Sequence, residues 1–430
     1  MRFIADLHLH GKYARATSKD LTLPMMEQYG RIKGTDILGT GDFQHPKWNA
    51  HIKESLTEID NTGIYQSKGG QKFILQSEIS LVFTQGGKGR RVHLVILAPN
   101  LEVVDQITAA LLRKGRIDYD GRPIFGMTCV EFVEMMNAIS KDIEIIPAHA
   151  WTPWFGVFGS KSGFDSLQEC FLDKTKYIHA IETGLSSDPP MNWRLSQLDG
   201  IQIISSSDSH SFWPWRMGRE VTLFDLKKPT YHNVLNAIRT GENLTGTIEV
   251  DPSYGMYHFD GHRAHNISYS PQESAKRQRL CEVCNKEVTI GVASRVEELA
   301  DRPEGYRPKD AKWYVDLLPL MELIAGVNGS ALASKKNWAT FNDLLKAFPN
   351  EFNILLDASP QELLKVVSKE LVDVILQNRA GKIPVKPGYD GTYGVPIIGG
   401  KELRVEKPAK EKPLKEAKKD KKQTGLDHWS

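Results

Sequence analysis

Cysteine and long apolar runs are what this sequence has least of. Its four cysteines, Cys129, Cys170, Cys281 and Cys284, are too few to staple a chain of 430 residues, and the C-x-x-C spacing of the last two favours metal binding over a disulfide. No run of about 18 apolar residues occurs, and ligand-type side chains follow Arg2 almost at once, so neither a membrane span nor a signal peptide is expected. The chain reads as intracellular. Charge of one sign is also lacking: the formal net charge is +2, and because residues 401–430 hold ten Lys or Arg against six Asp or Glu, the other 400 sit near −2. A polyanionic partner must then be gripped by local patches rather than by a global field.

What the sequence does have, from residue 1 to about 250, is an alternation of β-rich apolar runs with helical stretches. RFIADLHLH, TDILGTGD, KFILQSEISLVF, RVHLVILAP, IEIIPAHA, YIHAIETG and IQIISSSDSH predict strands, while LTLPMMEQYGRIK, LEVVDQITAALLRK and CVEFVEMMNAIS predict connecting helices. That rhythm predicts an α/β fold, in which ligands collect beyond the carboxyl ends of the strands. Polar residues break the runs there, at His8 and His10, Asp42 and His45, Glu78, His149, Glu182, and Asp208 and His210. In ADLHLHG, the alternation of an extended segment sends Asp6, His8 and His10 to one face.

Nine residues are candidate metal ligands: His8, His10, Asp42, His45, Glu78, His93, His149, Asp208 and His210. The set exceeds the needs of one ion and predicts roughly two or three divalent ions (Zn, Mn or Mg) bridged by Glu78 or Asp208, a grouping suited to hydrolysis at phosphorus. His8, His10, Asp208 and His210 are the expected catalytic core. His93, inside RVHLVILAP, has the alternative of a core histidine, and one of Asp42 and His45 that of a support behind a ligand. His179 is expected in the core, and Glu182 is open between substrate contact and structure. D-x-H-x-H at 6–10, G-x-x-D-x-x-H at 39–45, Glu78, His93 in RVHL, P-A-H at 147–149 and S-D-S-H at 207–210 resemble the metal motifs of the polymerase and histidinol phosphatase (PHP) superfamily. The resemblance implies a distorted seven-stranded (β/α) PHP barrel carrying a trinuclear site for phosphoester hydrolysis. KYARATSKD lacks the further histidine that many members carry, and GDFQH stands where T-D-H is usual, which leaves Asp20 and His45 as substitutes.

A second constellation, His262, His265, Cys281 and Cys284, has the spacing H-x2-H-x15-C-x2-C. One structural Zn held by two such pairs can organise a segment too small for its own core, with His258 as a spare donor and a fortuitous thiol pair as the other reading. From about 311 to 378 the periodicity turns helical, in WYVDLLPLMELIAGV, NWATFNDLLKAF and SPQELLKVVSKELVDVIL. GKIPVKPGYDGTYGVPIIGG predicts an ordered loop and KELRVEKPAKEKPLKEAKKDKK a flexible tail. The division expected is a metal-dependent hydrolase domain over 1–250, a zinc-binding module over 251–295, a helical DNA-contact domain over 296–400 and a basic tail over 401–430.

Aromatic residues crowd the loops after the ligands. Trp151, Trp154, Phe155, Trp213 and Trp215 could stack on an extruded base or wedge a duplex, or else form the core of long loops. Ser18, Glu182 and Asn192 are candidate base or DNA contacts. Basic stretches at Arg90/Arg91, Arg113/Lys114/Arg116, Lys276/Arg277/Arg279 and Arg307/Lys309/Lys312 could hold backbone phosphates or be solvated surface.

Over essentially the whole chain, MRFIADLHLHGKYARATSKDL, GDFQHP, IIPAHAWTPWFG, IETGLSSDPPMN, SSSDSHS, YHFDGHRAHN with RLCEVCNKEVTIGV, and GYDGTYG resemble the endonuclease Q family. The resemblance implies a DNA repair endonuclease that uses a metal-activated water to hydrolyse the phosphodiester 5′ of deaminated bases (hypoxanthine, uracil) and abasic sites. It further implies 3′-hydroxyl and 5′-phosphate products, damaged DNA as partner, and a monomeric protein of the prokaryotic, archaeal cytoplasm and nucleoid. Gln423, Leu426 and Trp429 in the terminal QTGLDHWS resemble the peptide by which repair enzymes dock on the sliding clamp (PCNA), since residues three apart share a side of a 3₁₀ turn. Two other readings remain: a metal-dependent phosphatase of small phosphomonoesters, marked by faster turnover of those than of DNA, and a non-catalytic DNA-binding scaffold, against which the intact D-x-H-x-H and S-D-S-H motifs argue.

Overall fold

The computed structural model describes residues 1–403. All seven expected strands form: β1 (Arg2–Asp6), β2 (Ile37–Gly39), β3 (Lys72–Gln85), β4 (Lys88–Ala98), β5 (Glu144–Pro147), β6 (Ala180–Glu182) and β7 (Gln202–Ile204). β1, β2 and β3 run parallel, β3 and β4 form a long antiparallel hairpin, and β4 pairs antiparallel with β5. β6 and β7 are a separate parallel pair. The loops that leave these strands tie their ends together: Ala150 N–H donates to Glu182 O, Thr183 N–H to Ile204 O, and Ser209 bridges Leu9. The carboxyl ends of β5, β6, β7 and β1 are thus joined in succession. Beyond β1 the sheet continues through β8 (Val221–Asp225), β9 (Leu244–Glu249) and β10 (Trp313–Asp316) to a total of eleven strands.

Local chemistry sets the element ends. Residues Phe73 to Leu81 of β3 are buried on both faces, which is why that run reads as apolar without strict alternation. Helix α1 (Leu23–Lys33) has proline in its first turn and ends at Gly34, whose φ of 93° lies in the left-handed region, and a Cβ there would meet Asn350 at 2.5 Å. The helices α2 (Leu101–Leu112) and α3 (Cys129–Ile139) start on Asn100 and on a Thr128/Glu131 capping box.

The helical stretch near the C-terminus differs from its sequence pattern in two places. Trp313–Asp316 is the strand β10, parallel to β9, and not the start of a helix. Its aromatic and β-branched residues suit an edge strand, and Pro319 disfavours helical geometry at Leu318, so helix α4 (Leu320–Asn328) begins only after the proline. SPQELLKVVSKELVDVIL is two helices: Ser359 caps a short one (Pro360–Leu363), and Ser368, accepting from Leu371 N–H, caps a second. With α5 (Lys335–Ala347) and α6 (Lys369–Arg379) they share one apolar core with Ile4, Val221, Leu223 and Ile248 of the sheet. The Gly/Pro-rich segment after α6 is ordered, as expected, and contains a short antiparallel pair, Val385–Lys386 with Val395–Ile398.

One buried ion pair crosses from the sheet layers to these helices. Lys33 Nζ donates to Glu351 Oε1 at 2.8 Å and to Pro214 O at 2.9 Å, and the same Glu351 oxygen accepts Leu320 N–H at 2.9 Å, at the start of α4. Glu351→Ala would leave the ammonium with one carbonyl partner, so a loss of about 3–5 kcal/mol is expected in denaturant unfolding. The double substitution Lys33→Met with Glu351→Leu is expected to recover most of it.

Candidate metal centre

Two groups of donors meet at one carboxylate. His8, His10, Glu78 and Asp208 have ligand atoms within 4.8 Å of one another, and so do Glu78, His93 and His149. Glu78, central in β3 and fully buried, divides its two oxygens between them. Its Oε2 lies 3.2 Å from His10 Nε2 and 3.7 Å from His8 Nε2, and its Oε1 lies 2.8 Å from His93 Nδ1 and 3.1 Å from His149 Nε2. Asp208 Oδ1 completes the first group, 3.1 Å from His10 Nε2 and 3.6 Å from His8 Nε2.

Both histidines that follow β1 are oriented from behind. His8 Nδ1 donates to Glu182 at 3.0 Å, and His10 Nδ1 donates to Asp42 at 3.0 Å. This turns both Nε2 atoms toward the cluster: His8 Nε2 is buried with no hydrogen-bond partner, and His10 Nε2 faces Asp208 Oδ1 at 3.1 Å and Glu78 Oε2 at 3.2 Å. A carboxylate behind an imidazole whose other nitrogen is bare is the arrangement of a metal-ligating histidine. His93 Nδ1 and His149 Nε2 stand 3.2 Å apart, both against Glu78 Oε1, a spacing that a shared cation satisfies better than two protons do. The donor set therefore fits divalent transition ions.

The backbone is bent to make this convergence. Asp42, His149 and Asp208 have φ of 41°, 31° and 45°, left-handed values that non-glycine residues rarely adopt and that persist only where surroundings enforce them. Gly11 N–H and His149 N–H donate to the same carboxylates that hold the rings, Asp42 at 2.6 Å and Glu182 at 2.8 Å. Arg219 Nη2 holds Ser207 O at 3.1 Å beside Asp208.

Electrostatics couple the groups. Burial pushes the His8 and His10 rings down, but the carboxylates of Glu182, Asp208, Glu78 and Asp42 carry both well above the usual histidine range. Burial likewise opposes ionisation of Glu78, yet His93, Arg122 and His8 hold it well below the usual carboxylate range. His93 is pushed down to about 3 and His210 to about 4, in each case chiefly by burial. The Arg122 guanidinium, whose Nη1 is 2.9 Å from Glu78 Oε2, adds a fixed positive charge beside these carboxylates.

The remaining candidates fall in different places. Asp42 stands behind His10 and belongs to neither donor group. His45 belongs to neither as well: its ring stacks on Tyr13 at 4.6 Å. Asp20 is exposed and outside both groups. His210 packs against His10 with its ring tilted, centroids 4.5 Å apart, at the mouth, and belongs to neither donor group. His179 pairs with Glu144 at 3.0 Å, partly buried and away from the centre. Away from the first centre, the ligand atoms of His262, His265, Cys281 and Cys284 also lie within 4.8 Å of one another, while His258 is apart from them. Their closest spacings are 3.1 Å between the two Nδ1 atoms and 3.4 and 3.5 Å from sulfur to nitrogen, near the roughly 3.4 Å edges of a tetrahedron around a zinc-sized ion.

A cavity of about 710 Å³ opens beside His93, His149, Asp208 and His210. Of the residues read as base contacts, Ser18 and Trp154 line it. Trp154 is 44% exposed, with the Arg91 guanidinium 5.3 Å from its ring. Phe155 is half-buried, packed on His93 at 4.2 Å. The others are packed away: Trp151 is buried and donates to the equally buried Asn192 Oδ1 at 2.8 Å. Trp213 and Trp215 stack on each other at 5.1 Å, and Trp338 of α5 packs tilted against both and fills the seam between sheet and helices. Glu182 is buried under His8. Sequence reasoning missed Arg122, Thr152, Arg216, Arg219, Tyr257 and Tyr393 around the centre; Arg216 and Arg219 lie within SFWPWRMGR, where the tryptophans drew the reading. The expected clamp-binding residues Gln423, Leu426 and Trp429 lie outside the described residues.

Against known proteins, the "MJ0043 C-terminal domain" family model matches residues 319–382. Protein MJ0043 of Methanocaldococcus jannaschii is 29% identical over 291 residues, which are 66% of this chain and 35% of that protein. YqxK of Bacillus subtilis is 28% identical over 413 residues, 91% of this chain and 98% of that one. The chain therefore spans about a third of the first relative and nearly all of the second. Two solved structures are similar over 92% of the chain, each with a TM-score of 0.82. Both are lesion-acting nucleases: the lesion-specific endonuclease of Pyrococcus furiosus, 31% identical over 95% of its length, and endonuclease Q with a 27-mer duplex bearing an abasic lesion at its active site, 32% identical over 96%. By this likeness the chain belongs to the endonuclease Q family.

Beneath the centre, Glu220 reaches the inner wall of the cavity, and Glu249 accepts from Ser205 Oγ at 2.7 Å and Thr183 Oγ1 at 2.9 Å. Burial pushes Glu249 up to about 8, against about 4.5 for a free side chain. The folded state therefore holds a proton that the unfolded state releases, so stability is present at acid pH and lost as pH rises from about 4.5 through about 8. Glu249→Gln is expected to flatten the fall in unfolding free energy between pH 5 and pH 9 by on the order of a few kcal/mol, measured by denaturant titration.

Proposed function

We propose that this chain is a metal-dependent DNA repair endonuclease of the PHP superfamily that cuts the phosphodiester 5′ of deaminated bases and abasic sites, leaving 3′-hydroxyl and 5′-phosphate ends. The observation that carries this reading is Glu78, one oxygen in each donor group, beside a cavity large enough for an extruded nucleotide. Convergence of β1 to β7 at their ends supports the seven-stranded barrel, with the hydrolase domain over 1–250, a zinc module over 251–295 and a helical DNA-contact domain over 296–400.

Ions held by His8, His10, Glu78 and Asp208 and by Glu78, His93 and His149 would supply Lewis acidity and an activated water. Glu182 and Asp42 fix the rings of His8 and His10. Arg216 and Arg219 line the cavity with positive charge near where a phosphate or a base carbonyl would rest, and Trp154 with Arg91 offers a stacking platform at the rim. A deaminated base pairs weakly and flips cheaply, and an abasic site needs no flipping, so one cavity serves both. The basic C-terminal tail and its QTGLDHWS end would dock on the sliding clamp.

End-labelled duplexes with hypoxanthine, uracil, an abasic site or no lesion, incubated with Mn²⁺, Mg²⁺ or Zn²⁺, test the reading. Incision 5′ of the lesion that disappears in D208A/H210A is expected. Faster turnover of small phosphomonoesters than of any duplex would replace it with the phosphatase. For the second site, Cys281→Ser is expected to lose one equivalent of zinc and to lower the Tm more than it lowers the rate of incision, by elemental analysis and thermal melting. Unchanged zinc content would refute the assignment.

A further inference from the structure

The metal centre contains a cation that belongs to the protein. Arg122 comes from the loop between α2 and α3, where its own N–H is held by Asp120 Oδ1 at 3.1 Å. Its Nη1 donates to Glu78 Oε2 at 2.9 Å, the oxygen that also faces His8 and His10. His10 Nε2 and His8 Nε2 lie 3.2 and 3.7 Å from that same oxygen, so the guanidinium adjoins the first donor group. Three-quarters of the side chain is covered. No other Arg or Lys is ion-paired to Glu78 or Asp208 among the described residues.

Resting on the metal-centre reading above, we infer that Arg122 is a resident counter-charge that competes with divalent ions for Glu78 and then holds the scissile phosphate, so that metal loading and DNA binding reinforce each other. The physical reason is one of sign. Without ions the guanidinium stabilises the buried carboxylate of Glu78, which the partly exposed Asp208 otherwise repels. When ions arrive on the same carboxylates, the fixed positive charge opposes them and keeps their affinity low. A bound phosphodiester returns one negative charge to the space between guanidinium and metal and favours both, and linkage makes that coupling reciprocal. Arg122 acts on the ions through Glu78 and is to that extent a positioning residue, but its contact with phosphate would be direct.

The test compares the unsubstituted full chain with Arg122→Met, which keeps length and loses charge, and Arg122→Lys, which keeps charge. Mn²⁺ binding is followed by calorimetry without DNA, and folding by thermal melting. Arg122→Met is expected to bind Mn²⁺ at least about tenfold more tightly, with Arg122→Lys close to the unsubstituted chain. At saturating Mn²⁺, Arg122→Met is expected to raise the KM for an abasic duplex about tenfold or more, with a smaller change in kcat. Equal or weaker Mn²⁺ binding by a folded Arg122→Met protein overturns the inference and leaves the metal centre standing. No Mn²⁺ binding by the unsubstituted chain overturns the metal-centre reading and the inference with it.

Discussion

Everything at the centre depends on one carboxylate being buried between imidazoles. Glu78 has no access to water, so its charge survives only because its surroundings supply His8 and His10 on one oxygen, His93 and His149 on the other, and Arg122 from the side. Those five groups come from the segment after β1, from β4, from the loop after β5 and from the loop before α3. A side chain in the middle of the longest strand thereby dictates where four separate segments must end. The tied strand ends and the covering helices follow from that demand.

The geometry is held by a shell that has no chemistry of its own. Asp42 and Glu182 each do two tasks, taking a ring N–H and a backbone N–H, so a histidine and the loop beside it move as one body. Positive φ at Asp42, His149 and Asp208 shows that the loops are compelled, since none of these residues would choose that conformation alone. Energy spent on such conformations must come from the packed layers beneath, which is consistent with the unbroken buried run of β3 and the large shared core.

Much of this was legible in the sequence because ligand-type side chains at strand ends leave a local mark. The H-x-H alternation, the S-D-S-H motif and the polar break at each run gave the strands and most of the donors. Glu78 stood out as a charge in an apolar run. What failed to show was tertiary. Nothing in WTPWFGVF tells that Trp151 turns inward to Asn192 while Trp154 stays at the rim, and nothing in DYDGRPI tells that Arg122 crosses to Glu78. Glu182 read as even between substrate and structure because a carboxylate at a strand end looks the same whether it faces the cavity or supports a histidine from below. The helix boundaries at Pro319 and Ser368 were visible as capping chemistry, yet helical periodicity outweighed them. The zinc-like group was legible because its ligands come in close pairs.

The Lys33–Glu351 pair gives a different meaning to the stretch 319–382 that a family model matches separately. A segment that recurs as a recognisable sequence is not thereby a unit of unfolding. Here its glutamate neutralises a lysine from α1, near the opposite end of the chain, and its tryptophan at 338 closes over the Trp213–Trp215 stack. Two parts joined in this way are expected to melt as one body. Cutting the helices away would leave the Lys33 ammonium without its carboxylate and uncover the apolar residues of the sheet that share their core, so the segment is separable as a sequence but not as a structure.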